Sequence, residues 1–243
     1  MPDRASFATV SSVDPGDRAS WDGKLLLTFD IDWAHDAVLA DAIDLVEAAG
    51  VAATWFVTHE TPLLARLRAN PLFELGIHPN FLPLLMKGDR KAGADAEDVV
   101  DRMLAIVPEA KSIRSHSLVQ SGRLLQIFRA RGLTHDCNAF IPEQSGIELK
   151  PWVDWFGMVR VPYFWEDDFW CETQGNEPPE ALLARPGLHA FDFHPIHLYL
   201  NTESMSRYEG ARDSFSAPER LIGHRCAGRG TRAYLSTLLE QVR

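Results

Sequence analysis

The chain reads as a single-domain α/β protein built on a mainly parallel sheet. Short apolar runs alternate with helical patterns, which is how βα units look in sequence. No internal repeat and no low-complexity linker divides the chain. Its 243 residues are 46% hydrophobic, enough to bury one large core, and barrels of this class hold that length as one domain. Residues 1–22 are polar and are expected to form a flexible leader, with the domain running from 23 to 243.

The first strand is Lys24–Asp30, an unbroken apolar run closed by Asp30. Residues 36–49 follow as a helix: Val38, Leu39, Ala42, Ile43, Val46 and Ala49 share one side, Asp41, Asp44 and Glu47 the other. Gly50 stops it, and Asp36 is the expected cap. Residues 52–57 predict a second strand, 62–69 a helix, and 73–78 a third strand. Residues 81–93 read as loop. Asp95 caps a helix whose apolar stripe is Val99, Val100, Met103, Leu104 and Val107. A short fourth strand covers 111–114, Ser121 caps a helix ending at Gly132, and 133–138 is extended. Residues 157–161 and 188–193 read as strands, with no clear helix in the aromatic stretch between them. Residues 231–242 read as a covering helix.

The formal charge is −10, from 34 acidic and 24 basic residues, which repels phosphate backbones and argues against a nucleic-acid partner. Cys137, Cys171 and Cys226 are scattered with no CxxC pair, so reduced thiols are expected rather than a thiolate zinc site or disulfides. No apolar run approaches the roughly 20 residues that span a bilayer, and the first 20 residues lack the apolar core of a secretory signal. A cytoplasmic protein without membrane insertion is expected, handling a small-molecule or oligosaccharide substrate. Its oligomeric state stays open.

The predicted strands end in groups that bind metal or move protons. The first ends in Asp30 and Asp32, the third in His78; the fourth is followed by His116, and the late one by His194 and His197. In an α/β barrel such strand ends converge on one mouth. Asp, His and His form a good ligand set for a divalent cation with an open position. Such a cation acidifies water; a second carboxylate can take the proton, and a histidine can protonate a leaving group. Each group also has an ordinary reading. An aspartate after a strand caps helices, but two acids in LLLTFDIDW are too costly to bury unless paired or ligated. The stretch from Pro162 to Trp170 interleaves rings with acids, which suits either core packing or a sugar site. His59, His135, His189 and His224 default to structural or surface roles.

Thr28-Phe29-Asp30-Ile31-Asp32 resembles the first motif of the NodB-type polysaccharide deacetylases, carbohydrate esterase family 4. Gly76-Ile77-His78-Pro79-Asn80, Arg114 within Ser112–Ser117, and Phe191-Asp192-Phe193-His194-Pro195 resemble later motifs in the same order. The resemblance spans residues 24–200 and is strongest to the divergent WbmS-like branch associated with surface-polysaccharide synthesis. It implies a distorted (β/α)7-type barrel in which Asp30 is the base, Arg114 orients it, and His194 is the general acid. Asp32, His78 and His116 would hold the metal, with zinc the default and other transition metals allowed. Two departures stand out. Ile31 separates the aspartates, so their roles could be exchanged. The family's second metal histidine falls at Leu82, leaving His116 as the natural substitute and Asn80 as the alternative. Asn80, Trp165, Asp167 and His197 are expected to meet substrate, with His197 also competing for the acid role.

The implied activity is hydrolysis of a carbon–nitrogen amide bond. The acyl group, taken as acetyl, would leave the nitrogen of a sugar or of a surface-polysaccharide (lipopolysaccharide) precursor. The rivals are a related metal-dependent hydrolase of small non-sugar amides or phosphoesters, and a catalytically decayed carbohydrate-binding barrel.

Overall fold

The computed structural model describes residues 7–86, 94–175 and 177–240. Ten strands form one sheet: β1 (Phe7–Ala8), β2 (Leu25–Asp30), β3 (Ala53–Val57), β4 (Phe73–Ile77), β5 (Ser112–Ile113), β6 (His135–Asp136), β7 (Trp152–Val153), β8 (Val159–Arg160), β9 (Trp165–Glu166) and β10 (His189–Phe193). Their spatial order is β7-β8-β6-β5-β4-β3-β2-β10-β9, with β1 added beside β2. Every pairing is parallel except β7 with β8. Strands β2, β3 and β10 are buried along their whole length, as expected where both faces of a parallel sheet are covered.

The sheet must curl. Arg114, just after β5, contacts Asp192 on β10, although four strand steps separate them. At ~4.8 Å per step a flat sheet would hold these strands about 19 Å apart, beyond the reach of the two side chains. The edges β7 and β9 do not pair, so the expected barrel is an open one. Because the strands run parallel, the carboxyl ends of β2, β4, β5, β9 and β10 share one rim.

Helix Asp36–Ala49 has the predicted bounds and buries the predicted stripe except for Ala49, which is half-buried, and Gly50 closes it in the left-handed region at φ 65°. Its cap differs: His35 Nδ1 accepts from the Ala37 amide, while Asp36 accepts from the Thr61 hydroxyl. Asp95 and Ser121 cap their helices as the sequence predicts, accepting from the Asp98 and Leu124 amides. Two expectations fail. The stretch after β9 does hold helices, Asp167–Thr173 and Pro179–Leu183. Elements of two turns or fewer show too little periodicity to be read. Within the expected loop 81–93, Leu82–Met86 is a helix, while 87–93 lies outside the described residues. The final helix is Thr231–Glu240; the last two predicted positions also lie outside them.

The expected leader is mostly part of the domain. Phe7, Val10, Val13 and Trp21 belong to the main core cluster. The Val10 amide donates to Thr54 Oγ1 (3.0 Å), and the Ser11 amide to Glu74 Oε2 (2.9 Å). His135 Nε2 meets the Val13 carbonyl at 2.9 Å. The segment thus closes the amino-terminal end of the sheet, opposite the rim that carries the chemistry. Residues 1–6 of the expected leader lie outside the described residues.

Candidate metal centre and catalytic cleft

β2 ends at Asp30 and the chain turns just beyond it, with Asp32 at φ 35°, so that both carboxylates reach the rim while Ile31 between them is fully buried in the core. There Asp32 Oδ1 lies 3.3 Å from both His78 Nε2 and His116 Nδ1, and the two nitrogens are 3.4 Å apart. Such a triangle is one face of a tetrahedron whose centre is about 2.0–2.1 Å from each corner, the length of zinc–nitrogen and zinc–oxygen bonds. Asp32 Oδ1 is buried and receives no hydrogen bond from the described residues. Burial would raise the Asp32 pKa, but His116 and His78 outweigh it and hold the carboxyl low; Asp32 in turn raises that of His116. This donor set fits a divalent cation. Leu82 sits on a short helix, and His116, arriving from the neighbouring strand, completes the trio.

Behind the trio lies Arg114, fully buried between the rings of Phe56 and Tyr163, with Cζ 4.7 and 4.3 Å from their centroids. Its guanidinium donates to Asp30 Oδ1 (3.0 Å), Thr28 Oγ1 (2.9 Å), the Cys137 carbonyl (3.1 Å) and the carboxylate of Asp192. Burial lowers the pKa of such a group, yet Asp192 and Asp30 together raise it well above the ordinary value. Complete burial raises the Asp192 pKa as well, against the pull of Arg114. Asp30 Oδ2 also stands 3.5 Å from His78 Nδ1. Asp192 was not anticipated as a site residue. Its signal was a carboxylate inside the apolar run His189–Phe193, where burial demands a partner.

On the other side, His194 places Nε2 3.8 Å from Asp32 Oδ2. Asp167 takes its Nδ1 and its backbone amide, each at 2.7 Å. Burial pushes the His194 pKa down, but the carboxylates of Asp167 and Asp168 carry it well above the ordinary histidine value. Two cavities that share part of their lining open here. A recess of about 90 Å³ is lined by Asp30, His78, Glu166 and Asp192, and a cleft of about 270 Å³ by Trp33, Ile196, His197, Tyr208 and Phe215. Asp32, His116, Asp168 and His194 line both. Asp32 and Trp33 adopt φ values of 35° and 53°. A bulky residue there costs about 1–3 kcal/mol, strain that tends to gather at functional sites.

The site gathers Asp30, Asp32, His78, Arg114, His116 and His194 as expected from the sequence. Of the four expected substrate contacts, Trp165, Asp167 and Asn80 line neither cavity and His197 lines the cleft. Trp165 is 3% exposed and stacks on Tyr234 at 4.6 Å, packed in the core. Asp167 has both oxygens turned to His194. Asn80 lines neither cavity; its Oδ1 accepts from the Leu82 amide. His197 does line the cleft, but its nitrogens are held by Thr202 and Asp168, at 3.0 and 2.5 Å. Glu166, unpredicted, borders the recess and accepts from the Tyr163 hydroxyl at 2.7 Å; burial raises its pKa.

The sequence profile of the WbmS-like polysaccharide deacetylases matches residues 27–212. No curated protein sequence matches. The chain is similar to WbmS of Bordetella bronchiseptica, a protein assigned as a polysaccharide deacetylase involved in O-antigen biosynthesis. Identity is 48%, coverage 99% of each chain and TM-score 0.92. More distant likeness extends to a Mycobacterium smegmatis protein assigned as a polysaccharide deacetylase, at 14% identity, coverage 100% and 92%, and TM-score 0.48. It extends also to the family 4 carbohydrate esterase of Streptomyces lividans, at 12% identity, coverage 82% and 85%, and TM-score 0.45. The profile match over most of the chain, with a 48% identical relative aligned end to end, makes this protein a member of the WbmS-like polysaccharide deacetylase family.

Proposed function

We propose that this chain is a metal-dependent deacetylase that removes an N-acyl group, taken as acetyl, from a sugar in a surface-polysaccharide precursor. The observation that carries the reading is the triangle of donor atoms on Asp32, His78 and His116, flanked by Asp30 on one side and His194 on the other. The O-antigen role assigned to the Bordetella relative supports the substrate class. Three free thiols, two of them buried, favour the reducing cytoplasm.

Asp32, His78 and His116 would hold the cation, with zinc the default for this donor set. When bound, a divalent cation would supply polarisation of the acyl carbonyl and acidify the attacking water. Asp30, fixed by Arg114 and facing the recess, accepts the water's proton as the water oxygen bonds to the carbonyl carbon. His194, kept protonated and aimed by Asp167, gives its proton to the sugar nitrogen as the carbon–nitrogen bond breaks. A carboxylic acid and a free amine leave, and the two protons have been exchanged between Asp30 and His194.

The test joins elemental analysis with acetate release from N-acetyl sugars. Asp30→Asn is expected to keep the metal and lose turnover. His78→Ala and His116→Ala are expected to lose both. Wild-type protein without stoichiometric metal, yet still binding sugar, would make the chain a carbohydrate-binding barrel. Turnover of formamides or phosphodiesters alone would move it to another hydrolase class.

A further inference from the structure

We infer that Trp33 and Tyr208 grip one pyranose ring, with Asp168 taking a ring hydroxyl, so that the enzyme acts on a terminal N-acyl sugar. This deepens the deacetylase reading and rests on it. Trp33 is 48% exposed and held over the cleft by left-handed backbone, its amide donating to Thr58 Oγ1 at 3.0 Å. Its indole meets His116 edge-on at 5.1 Å, beside the donor triangle. The exposed Trp152 and Trp155 line neither of the two cavities, so exposure alone does not single Trp33 out; its place does.

Tyr208 on the helix Met205–Ala211 and Phe215 just beyond it, with ring centroids 5.0 Å apart, contribute aromatic walls to the same cleft. A pyranose offers a flat C–H face to such rings and hydroxyls around its rim. Asp168 supplies the acceptor: it is bound on one oxygen by His197 and lines both cleft and recess. Size points to a short substrate: at about 270 Å³ the cleft lies just below the ~300–1,000 Å³ usual for small-molecule sites, the scale of one ring rather than of a run of them. With the ring there, its acyl arm reaches the adjoining recess over the donor triangle.

The test uses metal-loaded protein with 2-acetamido-hexoses of gluco, galacto and manno configuration and the β-linked trisaccharide of N-acetylglucosamine. Kinetics, saturation-transfer NMR of the sugar protons and mass spectrometry of the trisaccharide products are read. Trp33→Ala is expected to raise KM about tenfold with kcat and metal content little changed, Trp33→Phe to restore most of the loss, and Tyr208→Ala to resemble Trp33→Ala. Acetate should leave only an end ring of the trisaccharide. Unchanged KM in Trp33→Ala, a fall confined to kcat, or acetate lost from the middle ring would overturn the inference. If no sugar releases acetate while NMR still shows ring binding that depends on Trp33, the deacetylase reading fails and the clamp stands.

Discussion

His194 illustrates how a single side chain acquires its task from its neighbours. Alone and buried it would be neutral at pH 7; with Asp167 on Nδ1 and Asp168 nearby its pKa rises well above the ordinary value. A raised value widens the pH range over which the imidazole holds its proton, the behaviour that the proposed role of general acid needs. Asp167→Asn keeps a hydrogen-bonding group and removes the charge. The alkaline limb of the kcat/KM profile should therefore move to lower pH, with activity at pH 8 down about 10–100-fold. A limb that stays in place would show that Asp167 does not set the protonation of His194. The same logic of neighbours explains Asp192 and Asp30: one buried guanidinium serves two carboxylates, and neither acid is explicable without Arg114.

Among the elements, β4 shows how packing inside the sheet reaches the chemistry. Gly76 sits where a Cβ would lie 2.6 Å from both the Phe56 ring and Ser112 Oγ. Phe56 in turn supports Arg114 through its ring face. Gly76→Ala should cost about 1–3 kcal/mol in denaturant unfolding, as overpacking does, and should lower kcat by displacing the guanidinium that holds Asp30. A variant with unaltered midpoint and turnover would show that β4 can yield. The helices divide by length. Residues 36–49, 96–106 and 122–130 carry caps and stripes long enough to read in sequence. The pieces 167–173, 195–200 and 205–211 do not, yet they bring Asp168, His197 and Tyr208 to the cleft.

For the molecule as a whole, the amino-terminal segment is a structural part and not a tail. Phe7, Val10, Val13 and Trp21 are each at most 8% exposed. Such side chains contribute about 1.5–3 kcal/mol apiece on burial, and four of them rival the 5–15 kcal/mol that typically separates folded from unfolded domains, roughly speaking. Removing residues 1–22 should therefore give protein that is insoluble or melts well below the full chain, seen by circular dichroism. An unchanged melting temperature would contradict the packing described. No helix among the described residues is long and apolar enough to cross a membrane.

The amino-acid order was enough to reveal the βα rhythm, the helix over 36–49 and the strand ends that carry Asp30, His78, Arg114 and His194. Periodicity, caps and parallel crossovers are local properties, and a parallel sheet puts all its carboxyl ends on one rim. The order also offered His116 as a candidate in place of the histidine missing at Leu82. Other features depended on tertiary packing. The curl of the sheet brings β5 toward β10 and gives Asp192 to Arg114, while packing along the rim turns Asp167 onto His194, withdraws Trp165 into the core and leaves Trp33 over the cleft. These contacts join residues far apart in the chain, and neither the pattern nor the spacing of a sequence encodes which of many buried partners a charge will meet.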